Sequence, residues 1–151
     1  MAAIEKLCPE VQQMTLKFTV MGDPFGWQRA GQNHTTGATF TQPKTMVMEN
    51  AVAWEFKKKY HTERFPPKTP LCLFVVAYIP IPKSTPWRTR AKMITGEIRP
   101  TVKPDWDNLG KLVSDALNGI AYDDDKCIVD GCVRKYYSED PRTEITIQEA
   151  E

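Results

Sequence analysis

Long hydrophobic runs are missing from this sequence. Its most apolar segment, Leu71 to Ile79 (LCLFVVAYI), falls well short of the roughly 18 residues that a membrane-crossing helix needs. The opening stretch, MAAIEKLCPE, lacks the apolar centre of a secretory signal, so a cytoplasmic protein without a membrane partner is expected. C-x-x-C pairs are also absent. The four cysteines are Cys8, Cys72, Cys127 and Cys132, with only two histidines to accompany them. Cys127 and Cys132 are five positions apart, which puts them on opposite sides of a strand. The spacing argues against a zinc site and for free thiols in a reducing compartment. The formal net charge is only +1, so charge alone does not announce a nucleic-acid binder. There is no internal repeat and no low-complexity tract.

What is present is the composition of one globular domain. The 151 residues are 41% hydrophobic and 26% charged, enough chain to bury a sizeable core. Charge is unevenly placed. Lys83 to Lys111 holds seven basic residues (Lys83, Arg88, Arg90, Lys92, Arg99, Lys103, Lys111) against three acidic ones (Glu97, Asp105, Asp107). From Asp123 onward the balance reverses, with nine acidic residues against four basic. A basic surface beside an acidic centre fits this pattern, and so do two solvated faces.

Periodicity divides the chain into a loose N-terminal segment, 1–13, and a domain, 14–151. TLKFTVM (Thr15 to Met21) alternates as a strand does, with Leu16, Phe18 and Val20 on one face. Residues 22–44 form a long loop or irregular hairpin, with a short extended piece at Ala38 to Thr41; loops of that length are often functional. Thr45 is placed to cap a helix running from Met46 to about His61, with Val47, Ala51, Trp54 and Lys58 on one stripe. Leu71 to Ile79 reads as a central strand covered on both faces. Pro86 to Ile94 predicts a short helix opened by its proline. Val102 to Asp105 is expected to be extended, because Pro104 disfavours helix at Lys103. A second long helix spans about Asp107 to Asn118, its apolar face formed by Leu109, Leu112, Val113, Ala116 and Leu117, with Gly119 as its stop. Ile128 to Tyr137 and Glu144 to Gln148 are closing strands, turning near Glu139-Asp140-Pro141. This order implies an α+β single domain, its helices packed on a small mixed β-sheet.

Carboxylates gather around the second long helix. In extended backbone Asp105 and Asp107 point the same way and reach a common point, while Trp106 points away. Asp107 is also placed to cap the helix. Lys111 follows Asp107 by one turn and Asp115 follows Lys111 by another, all on the polar face. Asp123, Asp124 and Asp125 come just after the helix ends. Carboxylates crowded together repel unless a cation sits among them. Mg²⁺ takes oxygen ligands, commonly one or two carboxylates with water and phosphate, and serves phosphoryl transfer. Lys111 is suited to stabilising charge that grows on a phosphate. A helix cap, a surface ion pair and a solvated turn account for the same residues without a metal. A calcium loop does not fit, because its central ligand position falls on Leu109 and its closing glutamate position on Ala116.

The stretch KPDWDNLGKLVSDALNGIAYDDDKCIVD resembles the signature of the RusA family of Holliday junction resolvases, roughly P-D-x-D-N-L-x-K-x-x-x-D-A-L-N-G followed by a pair of aspartates before a strand. VRKYYSEDPRTEITI is similar to the family's closing strands, and IPIPKSTPWRTRAKMITGEIRPTVKPD to the approach segment of phage and prophage members. The resemblance runs from about Leu71 to Ile147. It is weaker upstream, where GDPFGWQRAGQ places Ala30 and Gly31 after Arg29 in place of the family's common Pro-Arg. The resemblance implies a RusA-like fold and a homodimeric endonuclease of a bacterial cytoplasm, host- or phage-encoded. Such an enzyme resolves four-way junction DNA by paired symmetric nicks, in recombination and repair. It implies Mg²⁺ as cofactor, with Mn²⁺ as a substitute, held by Asp105, Asp107, Asp125 and Asp124. Asp105, Asp107, Asp125 and Lys111 are then the catalytic residues, with Asn108 and Asp115 structural. Arg29, Arg88, Arg90, Lys92, Arg99 and Lys103 are the expected DNA contacts, through salt-sensitive phosphate binding. Trp27 and Trp87 are suited either to stacking on exposed bases or to packing. Three alternatives remain: a junction-DNA-binding module without catalysis, a metal-dependent phosphohydrolase acting on nucleotides, and an interaction domain with a solvated acidic turn.

Overall fold

The structure, a computed structural model, describes residues 13–151. The expected loose segment therefore lies, but for its last residue, outside the described residues, as does Cys8. Six strands and three α-helices follow in the order β1 (Thr15–Met21), β2 (Gly31–Gln32), β3 (Thr39–Phe40), α1 (Pro43–Tyr60), β4 (Leu71–Pro80), α2 (Trp87–Ile94), α3 (Trp106–Leu117), β5 (Ile128–Ser138) and β6 (Arg142–Glu149). The main sheet has the order β1-β6-β4-β5. Its β1–β6 and β6–β4 pairs are antiparallel and its β4–β5 pair is parallel, so the sheet is mixed and the expected α+β class holds. Strands β2 and β3 form a small separate ribbon inside the long loop.

Alternation builds the sheet's inner face. Leu16, Phe18 and Val20 of β1 and Ile145 and Ile147 of β6 are buried beside Leu71, Leu73 and Val75 of β4. Val52 and Phe56 of α1 and Val113, Ala116 and Leu117 of α3 close this core from above. Phe56 meets Phe18 edge to face at 5.5 Å between ring centres, and burying such a ring contributes about 1.5–3 kcal/mol. Strand β4 is fully covered on this face only. On the other face Phe74 is exposed and Tyr78 is half-buried, its ring stacked on that of Tyr136. The run LCLFVVAYI is thus apolar on both sides but covered by helices on one.

Three local expectations are corrected, and the strand order, which the sequence leaves open, is settled. Helix α1 begins at Pro43, which stands in the first turn, where its missing N–H costs nothing. Thr45 is not the cap; it is buried inside the helix, where its Oγ1 accepts a bond from the Gln28 N–H at 3.3 Å. The buried stripe of α1 runs through Thr45, Val52 and Phe56, whereas Val47 and Trp54 are exposed. Apolar residues lie all round this helix, so spacing alone did not choose its face. In the stretch expected to be extended, residues 102–104 form a bend with a cis Lys103–Pro104 bond, and Asp105 is extended. Finally, β5 and β6 are consecutive but do not pair, because β4 is inserted between them.

Candidate active site

Helix α3 is the platform of the site. Asp105 is its N-cap, with extended backbone (φ −69°, ψ 146°) and a side chain that makes no capping bond. Its carbonyl accepts the first helical bond, from the Leu109 N–H at 3.1 Å. Asp107 lies one residue inside the helix, and its Oδ1 accepts from the Asn108 N–H at 2.9 Å. Both carboxylates sit where the helix dipole favours negative charge. The expected backbone is corrected here: Asp105 is extended but Asp107 is helical, so the two do not share one strand face. They still meet the same hollow, lined by Thr101, Lys103, Trp106 and Lys135 as well.

On its other side Asp107 opens into a groove of about 340 Å³ between α3 and the edge strand β5. Asp107, Gly110, Lys111 and Ser114 form the helical wall; Asp125, Ile128 and Gly131 to Val133 form the strand wall. Gly110 permits this approach, since a Cβ there would stand 3.2 Å from Val133 Cγ2. The groove therefore unites Asp107, Lys111 and Asp125 across 18 positions of sequence, while Asp105 lines the adjoining hollow with Lys103. Asp124 does not line it. Asp124 caps a 3-10 turn, Asp125–Cys127, accepting from the Lys126 N–H at 3.0 Å. Asp123 turns outward to an ion pair with Arg64.

The electrostatics of the groove are acidic. Burial, a hydrogen bond with Asp124, and the charges of Asp124 and Asp115 raise the Asp125 carboxyl above its ordinary range, with Lys111 opposing. The Lys126 N–H and the bond with Asp125 lower Asp124. Glu49 of α1 is also raised, first by burial and then by Asp115, again with Lys111 opposing. Burial and the charges of Asp125, Asp115 and Asp124 push the Tyr122 phenol far up; its hydroxyl donates to the Ser114 carbonyl at 2.7 Å. Lys111 is the cation these acids share. Its ammonium lies 3.2 Å from Asp115 Oδ2 and 4.7 Å from the centre of the Trp27 ring.

Sequence reasoning missed Glu49. Its signal is a charged residue four positions after Thr45 and three before Val52, on the buried stripe of α1; it becomes visible only once that stripe is known.

Among the described residues, no three His, Cys, Asp or Glu side chains lie close enough to hold a metal by themselves. The groove nevertheless suits Mg²⁺, which needs only one or two carboxylates and takes its remaining oxygens from water and phosphate. Asp107 and Asp125, which line the groove together, are the residues that could hold it. The Asp125 carboxyl is raised first by burial and only then by its acidic neighbours, whose repulsion a cation in the groove would relieve.

A stability prediction follows. A raised folded-state value means that Asp125 adds stability when protonated and loses that contribution as pH rises through its folded value. At neutral pH without divalent cations, Asp125→Asn is expected to raise Tm by roughly 1–3 °C. That is the relief of a like-charge contact worth about 0.2–1 kcal/mol at a partly exposed site. Thermal melts at pH 7.5 in EDTA check this; a lower Tm for Asp125→Asn would show that its charge is already compensated.

The basic residues divide into two groups. Arg29, Arg88, Lys92 and Lys103 are exposed. Lys92 has only a long contact, 3.9 Å, with Glu97. Arg90 is engaged with Glu139 at 3.4 Å and with the Pro82 carbonyl. Arg99 donates to the Lys135 carbonyl at 3.1 Å, and its guanidinium covers the Tyr136 ring at 4.2 Å. Arg90 and Arg99 thus hold the 80–103 excursion against the sheet. Trp87 is exposed and Trp27 half-buried. No helix among the described residues is long and apolar enough to cross a membrane.

A mixed sheet carrying one acidic, lysine-bearing groove along its edge strand, approached by exposed cations, has the ingredients of phosphodiester chemistry on nucleic acid. The chain belongs to the endodeoxyribonuclease RusA family, whose model matches residues 21–148 and so runs from the last residue of β1 through β6 to within one residue of its end. It is also 37% identical, over 142 residues, to "Uncharacterized protein YqaN" of Bacillus subtilis (strain 168); the match covers 89% of this chain and 96% of that protein.

Proposed function

We propose that this chain is a Mg²⁺-dependent, structure-selective endonuclease that resolves four-way DNA junctions by paired symmetric nicks, acting as a homodimer. The observation that carries the reading is the convergence of Asp107, Lys111 and Asp125 on one open groove, in a chain of the RusA family. Asp107 and Asp125 hold the cation, Asp105 lies in the adjoining hollow, and Asp124 caps the turn that carries Asp125. Mg²⁺, when bound, supplies charge neutralisation for the phosphate and lowers the proton affinity of a bound water. Lys111 opposes the negative charge that develops on the phosphate oxygens. Arg29, Arg88, Lys92 and Lys103 seat the phosphates of the arms. Two nicks related by symmetry call for two copies of the site, which a two-fold dimer provides.

A second reading is a junction-binding module without catalysis. It draws on one observation, that among the described residues no three acidic side chains stand at metal-binding distance. One experiment separates the two. A labelled, immobile four-way junction and a linear duplex of the same sequence are incubated with the protein, with and without Mg²⁺. Paired symmetric nicks on the junction alone, requiring Mg²⁺, are expected. Binding without cleavage, across several junction sequences and with Mn²⁺ also tried, would replace the enzyme with the binding module.

A further inference from the structure

The helical pairing at Lys111 is the reverse of what α3 itself favours. An acid placed four residues before a lysine makes the better ion pair, so Asp107 is the intrinsic partner of Lys111. Long helical side chains also lean toward the N-terminus, which is where Asp107 lies. Lys111 instead pairs with Asp115, one turn further on, at 3.2 Å. Among the described residues no cation stands within ion-pair distance of Asp107, whose recorded partner is the Asn108 N–H.

What overrides the helix is the loop that follows β1. Gly26 lies flat on the start of α3: a Cβ there would stand 3.0 Å from Pro104 Cβ and 3.1 Å from Asn108 Cβ, so only glycine passes without displacing them. The Trp27 N–H donates to the Asn108 carbonyl at 2.9 Å. The Gln28 N–H donates to Thr45 Oγ1, inside α1. These three contacts strap the loop across α3 and α1 and leave the half-buried Trp27 ring over the Lys111 ammonium at 4.7 Å, within cation–π range.

We propose that Trp27 is a positioning residue: its ring, held by the Gly26–Gln28 strap, keeps the Lys111 ammonium on the Asp115 side and so leaves the Asp107 carboxylate free for a divalent cation. The inference rests on the reading of the groove as a metal-dependent nuclease site. It gives Trp27 a role within the protein, in place of stacking on DNA bases. Without the ring, Lys111 swings to Asp107 and competes with the metal.

The test uses Mn²⁺ alone as probe, with the full chain and the variants Trp27→Leu, Trp27→Phe and Lys111→Met. The Cε–Hε signal of Lys111, assigned through Lys111→Met, is expected to be shifted upfield by the indole ring current in the wild type. Trp27→Leu should lose that shift and bind Mn²⁺ about 2- to 5-fold more weakly, the scale of an exposed cation–π contact. Trp27→Phe should keep part of both. In the Lys111→Met background Trp27→Leu should no longer change Mn²⁺ affinity, because no lysine remains to swing.

An unshifted Lys111 in the wild type overturns the proposal. So does unchanged Mn²⁺ affinity in Trp27→Leu, or an affinity loss that persists in the Lys111→Met background. If Trp27→Leu does not melt cooperatively, Trp27→Phe carries the comparison, and wild-type values on both readouts overturn the inference. A wild type that shows the shifted lysine but takes up no Mn²⁺ would sink the metal-site reading itself. The proposal would fall with it, while the lysine contact remained, which tells the two failures apart.

Discussion

Asp107→Asn is expected to lower junction nicking by at least about 10³-fold while leaving junction binding within roughly 2-fold of wild type. Replacing a carboxylate by an isosteric amide removes one unit of charge and little else. The Asn108 N–H that Asp107 accepts at 2.9 Å still finds an oxygen, so the first turn of α3 keeps its local bond. Asp107 is exposed, and no packing is lost. The loss instead falls on charge neutralisation and metal placement, contributions worth several kcal/mol where a preorganised group is removed from a polar reaction. Asp125→Asn is expected to match it in rate, since both residues line the one groove. The double variant should fall little further, because groups that act as a unit are not additive. Single-turnover nicking with saturating enzyme measures this directly. Wild-type nicking by Asp107→Asn would remove the groove from the chemistry.

Junction affinity should fall about 10²-fold between 50 and 200 mM salt. Four exposed cations, Arg29, Arg88, Lys92 and Lys103, are the phosphate contacts of the proposed reading. At about 0.9 counterions released per neutralised phosphate, four contacts give a log–log slope near −3.6. The division among basic residues makes the prediction specific. Lys103→Met and Arg88→Met should each reduce the slope by about 1. Arg90→Met and Arg99→Met should leave the slope nearly unchanged and lower Tm instead. Their guanidiniums are committed to Glu139 and to the Lys135 carbonyl and Tyr136 ring. Titrations of a labelled junction at four salt concentrations, in EDTA to prevent cutting, read the slope. A flat dependence would exclude phosphate binding by this face.

Elements whose period and burial agree were legible in the chain. Strand β1 was bounded as found because Leu16, Phe18 and Val20 alternate cleanly with polar neighbours. Helix α3 shifted by only one residue, since five apolar residues recur on a single face. Helix α1 has a diffuse pattern: Val47 and Trp54, on the expected stripe, are exposed, while Val52 and Phe56, close beside it with Met48, are buried together with Thr45. A buried threonine inside a helix is explained by a partner, the Gln28 amide, that lies 17 positions away. The strand order was equally hidden. Consecutive β5 and β6 imitate a hairpin, yet β4 separates them, because β4 supplies apolar side chains for both neighbours and is buried only in the centre.

The same division runs through the site. The sequence by itself determined the chemistry available: acids at the mouth of one amphipathic helix, a lysine one turn in, and an aspartate pair before a strand. These follow from residue type and short-range spacing, which backbone geometry converts into position within a turn or two. Only the tertiary structure decided which acids share a space. Asp107 and Asp125 face one groove because α3 settles on the edge strand at Gly110, whereas Asp105 lines the adjoining hollow and Asp124 caps the turn that carries Asp125. It also decided which way Lys111 turns, since the indole that draws it lies 84 positions upstream, on a loop strapped there by two backbone hydrogen bonds. Contacts between distant segments depend on how whole elements pack, and no local periodicity encodes them.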